Sequence, residues 1–260
     1  MSESDITPDA IVKSLSTEFI GQNVIYDFSI TSTQDIARSE ARKGAAEGTI
    51  VIAEEQTAGT GRRRRTWYTP AGSGLAFSLI LRPGLQELSC MAMITSLAVV
   101  NAIEEATGLE AAIKWPNDIL IKGRKVCGIL IDSEMKGEAI DFVIIGIGVN
   151  VNLDVSSVPE ISEIATSLST ELGEQVSRLS LLQALLVQLE RLYLAVREGK
   201  TIFEDWRRHV ETVGKRVRVT SSSMVEEGWV EKVAEDGSLL LRRDDGSMAK
   251  ILAGDVTLKA

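Results

Sequence analysis

Histidine and cysteine are what this 260-residue chain has least of, with one of the first and two of the second. A lone imidazole, His209, makes histidine metal centres and Ser-His-Asp chemistry hard to build. Cys90 and Cys127 lie in apolar or glycine-flanked stretches, without the paired spacing of a zinc site. They read as two buried thiols in a reducing compartment. Long apolar runs are missing too: the most apolar helical stretch, 90–100, has about half the length of a membrane span. The N-terminus, MSESDITPDAIVKSL, has no basic segment leading into an apolar one, so no secretory signal is expected. Positive charge is in the minority, at 28 Lys and Arg against 37 Asp and Glu. The net charge of −9 argues against a general nucleic-acid binder, whose footprint is basic. What remains is average for a soluble globular chain, with 44% apolar and 25% charged residues. The length suits one large domain, or one with a smaller appendage. A soluble, cytoplasmic protein without membrane attachment is expected.

Residues 1–20 carry a helical pattern (Ile11, Leu15, Phe19) that ends near Gly21. It is too short for a helix-turn-helix domain, so no DNA-binding module is expected. A strand is predicted over 24–30. Thr31, Ser32 and Thr33 then open a helix, with Asp35 completing an approximate capping box and Gly44 closing it. Further strands are predicted over 49–53, 75–81, 111–115, 119–121, 126–133 and 140–151, with glycine turns at Gly123 and Gly137. A buried helix over 90–107 stops at Gly108. Ser180 and Gln183 form a capping box for another, whose Leu182, Leu186, Leu189, Tyr193 and Val196 share one face. The fold class is α/β (α+β), a mixed and largely antiparallel sheet with packed helices. Past Gly214 short strands alternate with Glu235-Asp236-Gly237 and Asp244-Asp245-Gly246 turns, as in a small β-barrel. A division into 1–211 and 212–260 is expected.

Three stretches carry candidate chemistry. The first is Gln56-Thr57-Ala58-Gly59-Thr60-Gly61-Arg62-Arg63-Arg64-Arg65-Thr66-Trp67. Gly59 and Gly61 let backbone N–H groups approach a ligand, and the arginine fork suits phosphate. No acid lies between Gln56 and Trp67 to pair the four arginines, so the run repels itself and is expected to order on an anionic partner. A solvated basic loop or an RNA-binding patch fits the same residues. The second is Lys114-Trp115-Pro116-Asn117-Asp118, at a strand end, where a lysine can neutralise charge at phosphorus or carboxylate. Asp118 can carry a magnesium ion or fix a turn, and a purely structural turn is equally consistent. The third is Gly146-Ile147-Gly148-Val149-Asn150-Val151-Asn152. It is a poor dinucleotide fingerprint, but its small residues can line a tight pocket with two carboxamides at the rim.

Together these stretches resemble the biotin protein ligases. The likeness covers nearly the whole chain and includes Ser32-Thr33-Gln34, the arginine loop and the Lys114 to Asp118 string. It extends to Lys125-Val126-Cys127-Gly128-Ile129-Leu130, Gly146 to Asn152, and Ala165-Thr166-Ser167-Leu168. It implies a class II aminoacyl-tRNA synthetase/biotin ligase-like catalytic domain over 1–211 and an SH3-like barrel over 212–260. It also implies condensation of biotin with ATP, with Mg²⁺, to biotinyl-5′-adenylate, and transfer of biotin to a lysine of a biotin carboxyl carrier protein domain. A homodimer is implied as well.

On this resemblance, Ser32, Thr33, Gln34, Gln56, Gly59, Thr60, Gly61, Arg62, Lys114, Gly128 and Gly148 hold biotin. Arg62, Arg63, Arg65, Trp67, Asn117 and Asn150 hold the nucleotide side, and Lys114 and Arg62 act on the reacting phosphate. No metal ligand is assigned. The chain departs from the common family pattern at Thr31, Gln34, Thr60 and Arg64, where aspartate, asparagine, arginine and glycine are frequent. A lipoate–protein ligase is the enzymatic alternative, and a non-catalytic nucleic-acid-binding protein using Arg62 to Arg65 is the alternative of another class.

Overall fold

The computed structural model describes residues 6–221 and 224–258. Its larger sheet contains β1 (Val24–Ile30), β2 (Ile50–Gln56), β3 (Gly74–Leu81), β4 (Ala112–Lys114), β5 (Asp118–Ile121), β6 (Arg124–Lys136) and β7 (Ala139–Asn150). The spatial order is β1-β2-β3-β7-β6-β5-β4. Only β1 and β2 run parallel, and the links explain why. A helix at 33–42 carries the chain back between those two strands, whereas Gly123 and Gly137, at φ 78° and 64°, turn tight hairpins.

Alternation along the strands separates two environments. On one face Leu75, Phe77, Leu79, Val143, Ile145, Ile147 and Val149 join the main core. That core is completed by α1 (Pro8–Val12), by a long helix over 85–107 and by another over 178–197. On the opposite face α2 (Thr33–Arg42) packs Ala37 and Ala41 over Val51, Ile80, Phe142 and Ile144. Beyond α2 the same face runs out of large side chains: Ala76, Ser78, Gly128, Gly146 and Gly148 follow in register. This gap is where the site lies.

Several helix ends differ from the sequence reading. The N-terminal helix is a single turn, capped by Thr7, while Leu15 and Phe19 pack against the core from outside any helix. Ser32 stands at the N-cap of α2 without a capping hydrogen bond, so no capping box forms with Asp35. The buried helix α3 (Leu85–Thr107) starts five residues earlier than 90. Two short helices escaped the pattern: α4 (Leu168–Leu172), and a second over 203–209. Between them α5 (Arg178–Arg197) is capped by Ser177 rather than Ser180. Gln183 instead donates to the carbonyls of Ala10, Ile11 and Lys13, tying down α1. At 23 and 20 residues, α3 and α5 are each long and apolar enough to cross a bilayer, against the expectation from 90–100. Here they bury against each other and the sheet. Cys127 is buried as expected, but Cys90 is only partly so.

After α6 (Phe203–His209), a second sheet forms from β8 (Arg216–Thr220), β9 (Val225–Val233), β10 (Leu239–Arg242), β11 (Met248–Ile251) and β12 (Asp255–Leu258). Its order is β11-β10-β9-β8-β12, antiparallel throughout. Among the described residues no pairing joins β11 to β12, so the expected barrel is an open five-stranded sheet. Its Val217, Val219, Val230, Leu239 and Leu241 belong to the same continuous core as the large sheet. Trp115, 3% exposed, bridges the two: its backbone N–H donates to Thr212 Oγ1 at 3.1 Å, and its indole N–H donates to Gly237 O at 2.7 Å.

Candidate active site

A cavity of about 500 Å³ opens over the glycine face of the large sheet. That size suits a small organic ligand. Its floor is the cross-strand pair Gly128 and Gly148, on which the Trp67 indole lies. A methyl group on Gly148 would fall 2.3 Å from Trp67 Cε2, so the floor depends on glycine there.

One wall is a polar network. Gln56 Oε1 accepts from Thr33 N at 2.8 Å and from Thr33 Oγ1 at 3.1 Å. Ser78 Oγ donates toward Thr33 Oγ1 at 2.9 Å and lies 3.1 Å from Gln34 Oε1. Gln34 Nε2 in turn donates to Ile144 O and Asp132, both at 3.2 Å. Fixing one end of Gln56 leaves its Nε2 as a donor with a set direction. Ser32 is 3% exposed and its hydroxyl has no partner among the described residues. An N-cap serine that does not cap has given up local stability, and here its hydroxyl lines the cavity instead.

The arginine loop is a formed hairpin. Trp67 N donates to Gly59 O and Gly61 N to Arg65 O, each at 2.8 Å, around a 3₁₀ turn at 62–64. Its charges have found a remote acid. Asp255 of β12 lies 3.2 Å from Arg62, 3.0 Å from Arg63 and 3.7 Å from Arg65. Arg62 also donates to Asn117 Oδ1 at 2.8 Å and Gly254 O at 3.1 Å. The side chain of Arg64, one of the family departures, lies outside the described residues.

Lys114 ends β4 at the cavity wall and is paired with no acid among the described residues. Nearby Lys125 is neutralised by Asp118 at 2.6 Å and stands 5.5 Å over the Trp67 ring. Asn117 and the buried Asn150 both reach the cavity, and Asn150 donates to Thr166 O at 3.0 Å. Asn152 does not stay at the rim. It is spent on both backbone groups of Val176. Across the cavity, the 161–166 segment is clamped to β6, with Lys125 N donating to Ile164 O and Thr166 N to Lys125 O, and Glu171 grips the adjacent turn through Lys122 and Arg124.

A model of the biotin/lipoate A/B protein ligase family matches residues 27–150. The Bacillus subtilis (strain 168) protein named bifunctional ligase/repressor BirA is 39% identical over 249 residues, covering 94% of this chain and 76% of the relative. The chain belongs to this ligase family. A Paracoccus denitrificans protein named biotin–[acetyl-CoA-carboxylase] ligase is 33% identical, covering 82% of this chain and 92% of its own. Among solved structures, the biotin protein ligase from Aquifex aeolicus in complex with biotin and ATP superposes with a TM-score of 0.78 at 28% identity. That match covers 92% of this chain and 99% of the other.

Of the residues expected from the family resemblance, Ser32, Thr33, Gln34, Gln56, Thr60, Gly61, Arg62, Arg65, Trp67, Lys114, Asn117, Gly128, Gly148 and Asn150 converge on the cavity. Gly59 and Arg63 do not line it. Gly59 packs against the return of the loop, and Arg63 turns to Asp255 and Thr220 O. Ser78, Lys125 and Asp255 also line the cavity with no role read from the sequence, and Asp118, expected to carry magnesium or fix a turn, pairs with Lys125. Ser78 had a signal, as the one hydroxyl in an otherwise apolar strand. Asp255 had none, because nothing local links it to the loop.

Proposed function

We propose that this protein activates biotin with ATP to biotinyl-5′-adenylate and pyrophosphate, then transfers the biotinyl group to a lysine of a biotin carboxyl carrier protein domain. The observation that carries this reading is Lys114, without an acidic partner among the described residues, in a glycine-floored cavity that Arg62 and Arg65 also line. Ser32, Gln56 Nε2 and the backbone of Thr60 offer the mixed donors and acceptors that a ureido ring needs, beside the Trp67 indole that lies on the glycine floor. The biotin carboxylate oxygen attacks the α-phosphorus and the bond to pyrophosphate breaks. Lys114, held on a strand end, stabilises the negative charge that gathers there. Arg62 and Arg65 hold the phosphates, while Trp67, Asn117 and Asn150 shape the nucleotide side. In the second step the carrier amine attacks the acyl carbon, AMP leaves, and the amine loses its proton.

Mg²⁺ enters this reading as part of the Mg–ATP substrate. Among the described residues no three Asp, Glu, His or Cys side chains are grouped to cage a metal. We further infer that residues 212–260 complete the site and that protomers pair into a homodimer. ATP and the carrier make the cytoplasm the working compartment. Incubation with Mg–ATP, biotin and a carrier domain, read by intact mass, is expected to add one biotinyl group to the carrier. Lipoyl addition from lipoate in preference to biotin would select the other branch of the family.

A further inference from the structure

The run Arg62 to Arg65 repels itself, and no acid within the loop offsets it. The carboxylate that does so belongs to the other sheet. Asp255 contacts three of these arginines within 3.7 Å, and its side chain is only 19% exposed, so solvent screens these pairs less than at an open surface. One negative charge against three positive ones leaves the cluster cationic. It can therefore gather the loop and still attract an anion.

Two further features show that the contact is built. Arg63 holds a left-handed backbone, φ 54°, unfavourable for a residue with a Cβ, while its side chain reaches Asp255 and Thr220 O rather than the cavity. Gly254, just before β12, is buried, and a methyl group there would fall 2.5 Å from Val219 Cγ1. Only glycine lets the chain lie this close to β8, where Gly254 O meets Arg62 and Asp255 follows in place.

We propose that Asp255 is a positioning residue that converges Arg62, Arg63 and Arg65 on the cavity mouth before an anion arrives, and so sets how long the loop retains an acyl-adenylate. The second half of this statement rests on the adenylate-forming activity proposed above. The test is Asp255→Asn, which keeps shape and removes charge, with Asp255→Glu as the conservative rescue. Amide hydrogen exchange over 59–67 in the ligand-free protein is expected to quicken about tenfold in D255N, as loss of a charge-assisted contact implies, and to return toward wild type in D255E. Raising the salt concentration should quicken the same amides in the wild type, a readout that needs no variant. Release of biotinyl-adenylate from D255N should also quicken about tenfold and return toward the wild-type rate in D255E. A merely structural role would not give this charge-specific rescue. Equal loop exchange in D255N and wild type overturns the proposal, as does slower adenylate release from D255N, which would make Asp255 a competitor of phosphate. If the wild type forms no adenylate, the functional reading fails, and the exchange measurements still judge the ion-pair cluster.

Discussion

Lys114 and Lys125 line one cavity but are placed for different work. Lys125 is compensated by Asp118 and stacked over Trp67, so a ligand gains little by approaching it. Lys114 keeps its charge uncompensated among the described residues, on a strand end that cannot swing away. A cation fixed before the reaction stabilises charge that appears only in the transition state. Lys114→Ala is therefore expected to cut single-turnover adenylate formation by about 10²-fold, the usual effect of removing one preorganised donor. Biotin binding, followed by calorimetry, should survive, because Ser32, Thr33 and Gln56 are untouched. Adenylate formed at the wild-type rate would show that the reacting charge is stabilised elsewhere. Gly148 supports a steric counterpart. Gly148→Ala forces Trp67 off the floor, an overpacking that costs about 1–3 kcal/mol. It should weaken biotin binding and raise quencher access to the indole, and unchanged biotin affinity would contradict a glycine floor.

Elements differ in how much of them the sequence discloses. Alternation fixes β1 to within its observed ends, and Ile145-Gly146-Ile147-Gly148-Val149-Asn150 shows both faces of β7: branched residues inward, a bare floor outward. The pocket was legible for that reason. The short helices α4 and α6 were not, because five and seven residues hold too few turns to show a period. They exist through tertiary bonds, such as Trp206 Nε1 donating to Ser96 Oγ at 3.0 Å. The arginine loop failed in a different way. Its run of like charges is plain in the sequence, but the acid that pairs with it lies in another sheet, beyond any local pattern. A similar long-range tie supplies a pH prediction. Glu171 of α4 has a side chain only 2% exposed. Burial works against its charge, yet hydrogen bonds from Thr166 and Lys122 and the charge of Arg124 hold its carboxyl below the usual glutamate range. A carboxylate depressed in the folded state contributes stability above its unfolded pKa of about 4.3, and loses it as pH falls through the lower folded value. Wild type should thus lose stability more steeply than Glu171→Gln below about pH 4.3, as read by urea midpoints. Parallel acid limbs would remove Glu171 from the acid-sensitive groups.

At the scale of the whole molecule, a ligand domain joined to a small barrel would melt in two steps, but the packing argues for one. The core runs unbroken from Ile11 under the large sheet to Val217, Val230 and Leu241 in the small one. Trp115, buried at the end of β4, reaches across to the second sheet by donating to Thr212 Oγ1 and Gly237 O, and Glu211 N donates to Ile113 O at 3.0 Å just before that sheet begins. Asp255 adds a tie through the arginine loop. Neither sheet can lose its partner without exposing apolar surface. Heating is therefore expected to give one transition, with far-UV circular dichroism and tryptophan fluorescence coincident. Trp229 of β9 reports the small sheet and the buried Trp206 the large core. Trp115→Ala should break this unity by opening a cavity at the junction, at a cost of about 3–5 kcal/mol, and split the curve with Trp229 responding first. A wild-type transition that moves Trp229 alone, while the large sheet keeps its dichroism, would show that the two sheets fold independently and that Trp115 is a contact rather than a weld.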